Sequence, residues 1–232
     1  MFLKVVWGNM KQFICSSVLI LVAFLLAPVL NAKDQPNLKP TLHEIWTGFT
    51  LSKDLSKKFS VDLEDQVRFS EALGGLRLNF LDLGLTYRIN KVFDAKVNYR
   101  YSFRSNVRNT KRISFDLSYK VKIKPVKVEI KMRTRFQNTQ VTYTGESTNY
   151  LRNKLTLYKS ISKKWEGYMA YEIFHNMSDE NELHATRFVV GTKFKLNKNL
   201  KLKAFLQYDQ DVHGKYQPKR YVLGVMGTYE FK

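Results

Sequence analysis

The chain has 232 residues, with 39 Lys or Arg against 20 Asp or Glu, a formal net charge of +19. That length suits one domain with a sizeable interior. Its one cysteine, Cys15, excludes disulfides within the chain and thiolate metal sites, and no Gly-rich phosphate loop or metal-ligand cluster occurs, so no cofactor and no metal are expected.

Residues 1–32 differ in kind from the rest. Lys4 and Lys11 precede an apolar run from Phe13 to Leu26, no acidic residue appears before Asp34, and Ala32 offers a small residue for cleavage. A basic start and an apolar centre too short for a comfortable membrane span predict a secretory signal peptide cleaved near Ala32. Its loss removes Cys15, Lys4 and Lys11, which takes the charge from +19 to +17. The alternative is an uncleaved anchor. Residues 33–41 read as a short polar linker.

From residue 42 to the end the pattern is that of strands, near 42–52, 58–70, 76–89, 92–104, 111–123, 125–137, 149–160, 164–176, 183–196, 199–210 and 219–231. Residues 113–137, ISFDLSYKVKIKPVKVEIKMRTRFQ, show why. Ile113, Phe115, Leu117, Tyr119 and Val121 alternate with Ser114, Asp116, Ser118, Lys120 and Lys122. Past Lys124-Pro125, Val126, Val128, Ile130 and Met132 alternate with Lys127, Glu129, Lys131 and Arg133. Successive strand side chains point to opposite faces, so this is a hairpin with one apolar and one charged face.

The connections alternate too. SKDLSKK, NKV, KP, SKK and NKN are mostly tight, whereas SEALGGL, SNVRNTK, NTQVTYTGEST, NMSDENEL and DQDVHGKYQPK are longer. Tight turns on one rim and longer loops on the other are the layout of a transmembrane β-barrel. Alternation alone also fits a secreted sandwich or lipocalin-like barrel. Aromatics near strand ends on the apolar face (Phe93, Phe103, Phe136, Trp165, Phe194, Tyr208, Tyr229) favour the membrane barrel, since interfacial girdles sit there.

Trp46 with Leu51, Lys53 and Leu55, then Val61-Asp62-Leu63-Glu64-Asp65-Gln66-Val67-Arg68, carry a resemblance. From about Leu42 onward the chain resembles outer-membrane β-barrel proteins of double-membrane bacteria, and more narrowly a family of barrel domains of unknown function. The resemblance implies the cell outer membrane as location, outer-membrane lipid and lipopolysaccharide as surroundings, and an assembly machinery that reads the last strand. Here the last aromatic, Phe231, stands next to the end. It implies no activity.

The fold expected is therefore all-β, an antiparallel up-and-down transmembrane barrel of about ten (10–12) strands. Eleven segments sit awkwardly with the even count usual in bacteria. Either segment 42–52 does not fully span, leaving ten, which is favoured, or one has escaped notice, making twelve. Asp65 and Asn153 fall on lipid-side positions; strand ends, bulges or a wrong register would place them there.

Lysines such as Lys57, Lys58, Lys124, Lys163, Lys164 and Lys198 gather at short turns. Arginines gather towards the long loops: Arg68, Arg100, Arg104, Arg108, Arg112, Arg133, Arg135, Arg152, Arg187 and Arg220, with Arg88 the exception. Guanidinium forks hold carboxylate and phosphate bidentately. Arg68, Arg100, Arg104, Arg133, Arg135, Arg152 and Arg187 are thus the candidate lumen sites for anionic solutes, and a small anion-favouring pore is the specific expectation. Its competitor is a closed structural barrel in which Arg100, Arg133, Arg135 and Arg152 pair with Glu64, Asp116, Glu129 and Glu172. A narrow bore favours the competitor, because small barrels are filled by their own side chains.

Other classes weigh less. A lipid hydrolase would need an outward His with a Ser and a carboxylate; His175, His184 and the Asp209, Asp211, His213 group sit near loops, but no spacing marks a nucleophile. No catalytic residue is therefore assigned. Nucleic acid is excluded by export. A platform presenting its loops to partners stays open.

Overall fold

The computed structural model describes residues 41–70, 74–104, 108–178, 182–212 and 219–231. The expected signal peptide, and the linker up to Pro40, lie outside the described residues, as does His213. Every one of the eleven segments is a strand: β1 Thr41–Asp54, β2 Phe59–Ser70, β3 Gly75–Arg88, β4 Phe93–Arg104, β5 Thr110–Ile123, β6 Val128–Val141, β7 Ser147–Ser160, β8 Trp165–Asn176, β9 Glu182–Lys195, β10 Leu200–Asp211 and β11 Lys219–Phe231. They form a closed barrel in which each strand pairs with its chain neighbours and β1 meets β11.

The segment that made the count awkward resolves it. β1 has 14 residues and spans as fully as the others. It lies parallel to β11, from Thr41 opposite Lys219 to Lys53 opposite Phe231, while the ten other pairings are antiparallel. An even count is needed only when the closing pair is antiparallel; one parallel seam lets eleven strands close. Among the described residues the barrel therefore has one strand more than the favoured ten.

Four of the five short turns share one construction. Leu55-Ser56-Lys57-Lys58-Phe59, Ile89-Asn90-Lys91-Val92-Phe93, Ile161-Ser162-Lys163-Lys164-Trp165 and Leu196-Asn197-Lys198-Asn199-Leu200 each place Ser or Asn ahead of Lys and end on a large apolar residue. In each the Ser or Asn oxygen accepts two backbone N–H groups, those two and three residues on: at 3.1 and 3.1 Å for Ser56, 2.8 and 2.8 Å for Asn90, 3.2 and 3.1 Å for Ser162, 2.8 and 2.8 Å for Asn197. Such side chains turn the backbone by supplying an acceptor at the bend. The strands that follow, β2, β4, β8 and β10, are all 12 residues long. The fifth turn is built differently: Lys127 donates to the Lys124 carbonyl at 3.1 Å with φ 53°.

The barrel is apolar outside. Leu83, Phe115, Leu117 and Leu223 are about half exposed on the outer wall, whereas Ser114, Asp116, Ser118 and Gln137 on the opposite faces of β5 and β6 are buried. Twelve residues at about 3.4 Å each, tilted by about 40°, cross roughly 30 Å, enough for a hydrocarbon core. Aromatic pairs ring the short-turn end: Phe59–Tyr87, Phe93–Tyr119, Trp165–Phe194 and Tyr229–Phe231, with centroids 4.8 to 5.2 Å apart. Offset and edge contacts at that spacing are favourable.

Two outward polar residues receive a structural reading. The Thr134 hydroxyl donates to the Asn153 carbonyl oxygen at 2.8 Å, so that pair satisfies itself. Asp65 is exposed in mid-strand between Phe49 of β1 and Leu81 of β3, in regular register. Nothing in the structure explains it.

One boundary differs from the sequence pattern. The strand expected over 125–137 runs instead from Val128 to Val141. Asn138, Thr139 and Gln140 look like loop by composition, yet Asn138 bonds Asn149 across β6–β7 at 2.8 Å.

Candidate functional site

Strand alternation puts Arg68 of β2, Arg100 and Arg104 of β4, Arg133 and Arg135 of β6, Arg152 of β7 and Arg187 of β9 on the inner face together. Arg112 of β5 and Arg220 of β11 join them. Arg77 joins by another route: Arg68 pairs with Leu78 and Phe69 with Leu76, so a bulge leaves Arg77 unpaired in β3. Its guanidinium reaches Glu44 in the lumen at 2.5 Å. A bulge re-aims one side chain against the pleat, and alternation alone does not reveal it.

Most of these arginines are spent on carboxylates, and the pairs join into one chain along the wall. Arg135 grips Asp116 with two bonds of 2.6 and 2.7 Å. Arg133 lies 3.9 Å from Asp116 and donates to Glu172 at 2.6 Å. Arg152 binds the same Glu172 oxygen at 2.9 Å, and Arg187 lies 3.9 Å from the other. Arg187 in turn holds Asp209 through two bonds of 2.8 and 2.9 Å. Arg220 links Asp209, at 3.4 Å, to Glu44, at 2.9 Å, and Arg77 ends the run on Glu44. The girdle starts on β5 and passes through β6 to β11 and across the parallel seam to β1 and β3. Arg100 and Asp82, 2.6 Å apart, form a separate pair between β4 and β3.

Aromatic rings fill the space beside the girdle. Trp46, Tyr168, Ala170, Val189, Phe205 and Val222 form a buried cluster inside the lumen. Trp46 donates its indole N–H to Glu44 at 2.7 Å and meets Phe205 edge-on at 6.4 Å. Gly224 lies beside both, and a Cβ there would stand 2.1 Å from the Phe205 ring, so any side chain would have to displace that ring. Arg68 lies 3.6 Å from the Trp46 ring centre and Arg100 3.5 Å from that of Phe80, distances at which a guanidinium is held by the ring's negative face. At this waist Phe80 and Glu172 are 1% exposed and Trp46 4%.

Below the waist, towards the short turns, a cavity of about 480 Å³ remains. Six carboxylates (Asp62, Glu64, Asp82, Asp94, Asp116, Glu230) and five cations (Lys96, Arg100, Lys131, Arg133, Arg135) line it. Lys96 pairs with Asp62 at 2.8 Å, Lys120 with Asp94 at 2.8 Å, and Lys201 with Glu230. This chamber is polar but carries no excess of positive charge in its lining.

The expected acidic partners divide. Asp116 and Glu172 do hold Arg135, Arg133 and Arg152. Glu129 instead pairs with Lys122, its cross-strand neighbour, at 3.2 Å, because it lies on the first turnward residues of β6, below the arginines. Glu64 lines the cavity and, among the described residues, makes no ion pair. Arg100 takes Asp82; alternation singles out neither this partner nor Glu44 and Asp209. Asp209, a neighbour of Asp211 and His213 in sequence, has both oxygens bound by Arg187. His184 stands near Tyr150, ring centres 5.4 Å apart. Among the described residues no three His, Cys, Asp or Glu side chains gather to hold a metal ion.

Residues 43–217 match a family model described as "Protein of unknown function (DUF2490)". The chain belongs to this family. No curated protein matches this DUF2490 chain. Among solved structures it is similar to a bacterial polysaccharide outer membrane secretin, at 11% identity and TM-score 0.49 over 73% of this chain. The matched part spans 63% of that secretin. It is also similar to the NanC porin, at 11% identity and TM-score 0.47 over 72% of this chain and 87% of that one. Pseudomonas aeruginosa OccK5 (OpdH) gives 13% identity and TM-score 0.36 over 71% and 54% of the two chains.

Proposed function

We propose that this DUF2490 protein is an outer-membrane barrel closed to ions at its waist, with no catalytic role, rather than a standing pore. The observation that carries this reading is burial within the lumen. Water-filled channels wet their inner walls, yet Phe80, Glu172, Val222 and Trp46 face inward and are 1 to 4% exposed. The girdle uses its arginines on fixed carboxylates, which leaves those groups unavailable to a passing anion. Small barrels are filled in this manner, and channels belong to wider ones.

Outer-membrane location rests on the apolar outer wall and its aromatic ring. In that setting outer-membrane lipid surrounds the wall, lipopolysaccharide phosphates lie near the long-loop rim, and β11 with Tyr229 and Phe231 on its outer face is the strand the assembly machinery reads. Asp209 supports the non-catalytic reading, since Arg187 occupies both of its oxygens.

The test is single-channel recording of the refolded full chain in a planar bilayer. Absence of steady conductance is expected. Steady anion-selective current, lowered when Arg133 and Arg135 are changed to Gln, would establish the pore instead.

A further inference from the structure

The girdle is an incomplete circle, and its gap is where the uncompensated charge sits. Between its two ends, on β2, β4 and β5, stand Arg68, Arg104 and Arg112. Among the described residues none of the three has a carboxylate partner. Arg68 gives one N–H to Gln66 at 3.0 Å, and Arg112 gives its Nε–H to Thr139 at 3.1 Å. The Nε atoms of Arg68 and Arg104 are buried with no hydrogen-bond partner. Asp82 and Glu44, on the neighbouring strands β3 and β1, are already engaged, Asp82 by Arg100 and Glu44 by Arg77 and Arg220.

Leaving buried donors unmet costs about 1–3 kcal/mol each, more for charged groups. Three guanidinium groups on the lumen face near one rim, none with a carboxylate among the described residues, leave positive charge there for an anion to meet. All three lie near the long-loop ends of their strands, and Leu78 pairs with Arg68 on one side and Arg104 on the other. Two strand spacings set the Arg68 and Arg104 backbones about 10 Å apart, a gap that two arginine side chains can span from both sides. The Trp46 ring centre lies 3.6 Å from the Arg68 guanidinium carbon, and the ring holds that cation against its face.

We propose that Arg68, Arg104 and Arg112 form a binding site for a phosphorylated solute that enters from the long-loop rim and stops at the waist. Phosphate chemistry fits better than a single carboxylate. A phosphoryl group brings a charge of about −1.5 to −2 and three acceptor oxygens, against three unmatched positive charges. The side chains face the lumen, so the ligand is a free solute and not a lipid embedded beside the wall. The site deepens the closed-barrel reading, which makes it a place of capture instead of passage.

The experiment is calorimetric titration of the full chain, refolded in detergent, with inorganic pyrophosphate. Binding is expected, weakened about tenfold or more by Arg68→Gln and by Arg112→Gln, the loss of one or two charge-assisted bonds. Lys164→Gln, at the opposite rim, should bind as the unaltered protein does. Heat-dependent gel mobility confirms that each variant is folded. No binding by the unaltered protein, or equal weakening by Lys164→Gln, overturns the site. So does a response to phosphatidic acid micelles with none to pyrophosphate. Conductance measured on the same preparations separates the two readings: current with binding defeats the closed barrel and leaves the site, whereas neither current nor binding does the reverse.

Discussion

Arg220 of β11 reaches across the parallel seam to Glu44 of β1, 2.9 Å away, and Glu44 also holds Arg77 and the Trp46 indole. One buried carboxylate therefore ties the first strand to the last and to β3. Removing one partner of a buried ion pair costs about 3–5 kcal/mol, because the other charge stays behind unpaired. Glu44→Gln should lower stability by that order in urea-dependent gel mobility. Asp54→Asn, which breaks the exposed pair with Arg88, should cost less than about 1 kcal/mol.

Glu172 neutralises Arg133 and Arg152 directly, with Arg187 close by. Glu172→Gln should destabilise the barrel more than Asp116→Asn does, since it leaves more guanidinium groups in mutual repulsion. The double change Glu172→Gln with Arg152→Gln should cost less than the sum of the singles, as expected for side chains in one network. Additive losses in the same unfolding measurement would argue against the girdle as a connected unit.

Close approach predicts a contrast between two glycines. At Gly224 a Cβ would strike the Phe205 ring, itself pinned by Trp46, so Gly224→Ala should cost about 1–3 kcal/mol as overpacking. At Gly84 a Cβ would stand 2.3 Å from the Lys96 Cε, but that atom is at the far end of a flexible side chain. Gly84→Ala should therefore be milder, and the unfolding midpoints of the two variants rank them directly.

The outer wall offers a test of which face meets lipid. Leu83→Arg, in the middle of β3, should destabilise by about 2–4 kcal/mol in lipid vesicles, the cost of a cation near the bilayer midplane. Asp65→Leu should go the other way and raise stability, because it removes an exposed carboxylate with no ion pair among the described residues from the same belt. Equal tolerance of both changes would mean that this wall faces water.

Period-two alternation makes all eleven strands legible, since a barrel wall buries one face continuously and any slip inverts it. The strand count is harder, because the parallel contact of Thr41 with Lys219 joins residues that no local pattern connects. Asn138, Thr139 and Gln140 make β6 look shorter than it is, being polar residues whose partners on β7 become visible only in space. The arginines are legible as a face but not as pairs. Which carboxylate each one takes depends on register and on the Arg77 bulge, so Glu44, Asp82 and Asp209 escape while Glu129 is placed too high. The lumen aromatics do carry a signal: Phe80 shares parity with Asp82 and Thr86, against the outward Leu81, Leu83 and Leu85. So does the repeated Ser/Asn-Lys turn, which is periodic in sequence and needs no structure to see.

The seam has a last consequence, for how this chain could be rearranged. In a barrel of even strand number the first and last residues lie on one rim, and a few residues suffice to join them and open the chain elsewhere. Here β1 begins at the long-loop rim and β11 finishes at the other, 12 residue steps along the register from Thr41 to Lys53. At about 3.3 Å per residue that is roughly 40 Å of strand, and the filled waist bars the inside route. A circularly permuted version would have to run its linker along the lipid face, where unpaired backbone is not tolerated. The order of strands in this barrel is thus locked by topology in a manner that hairpin-closed barrels escape.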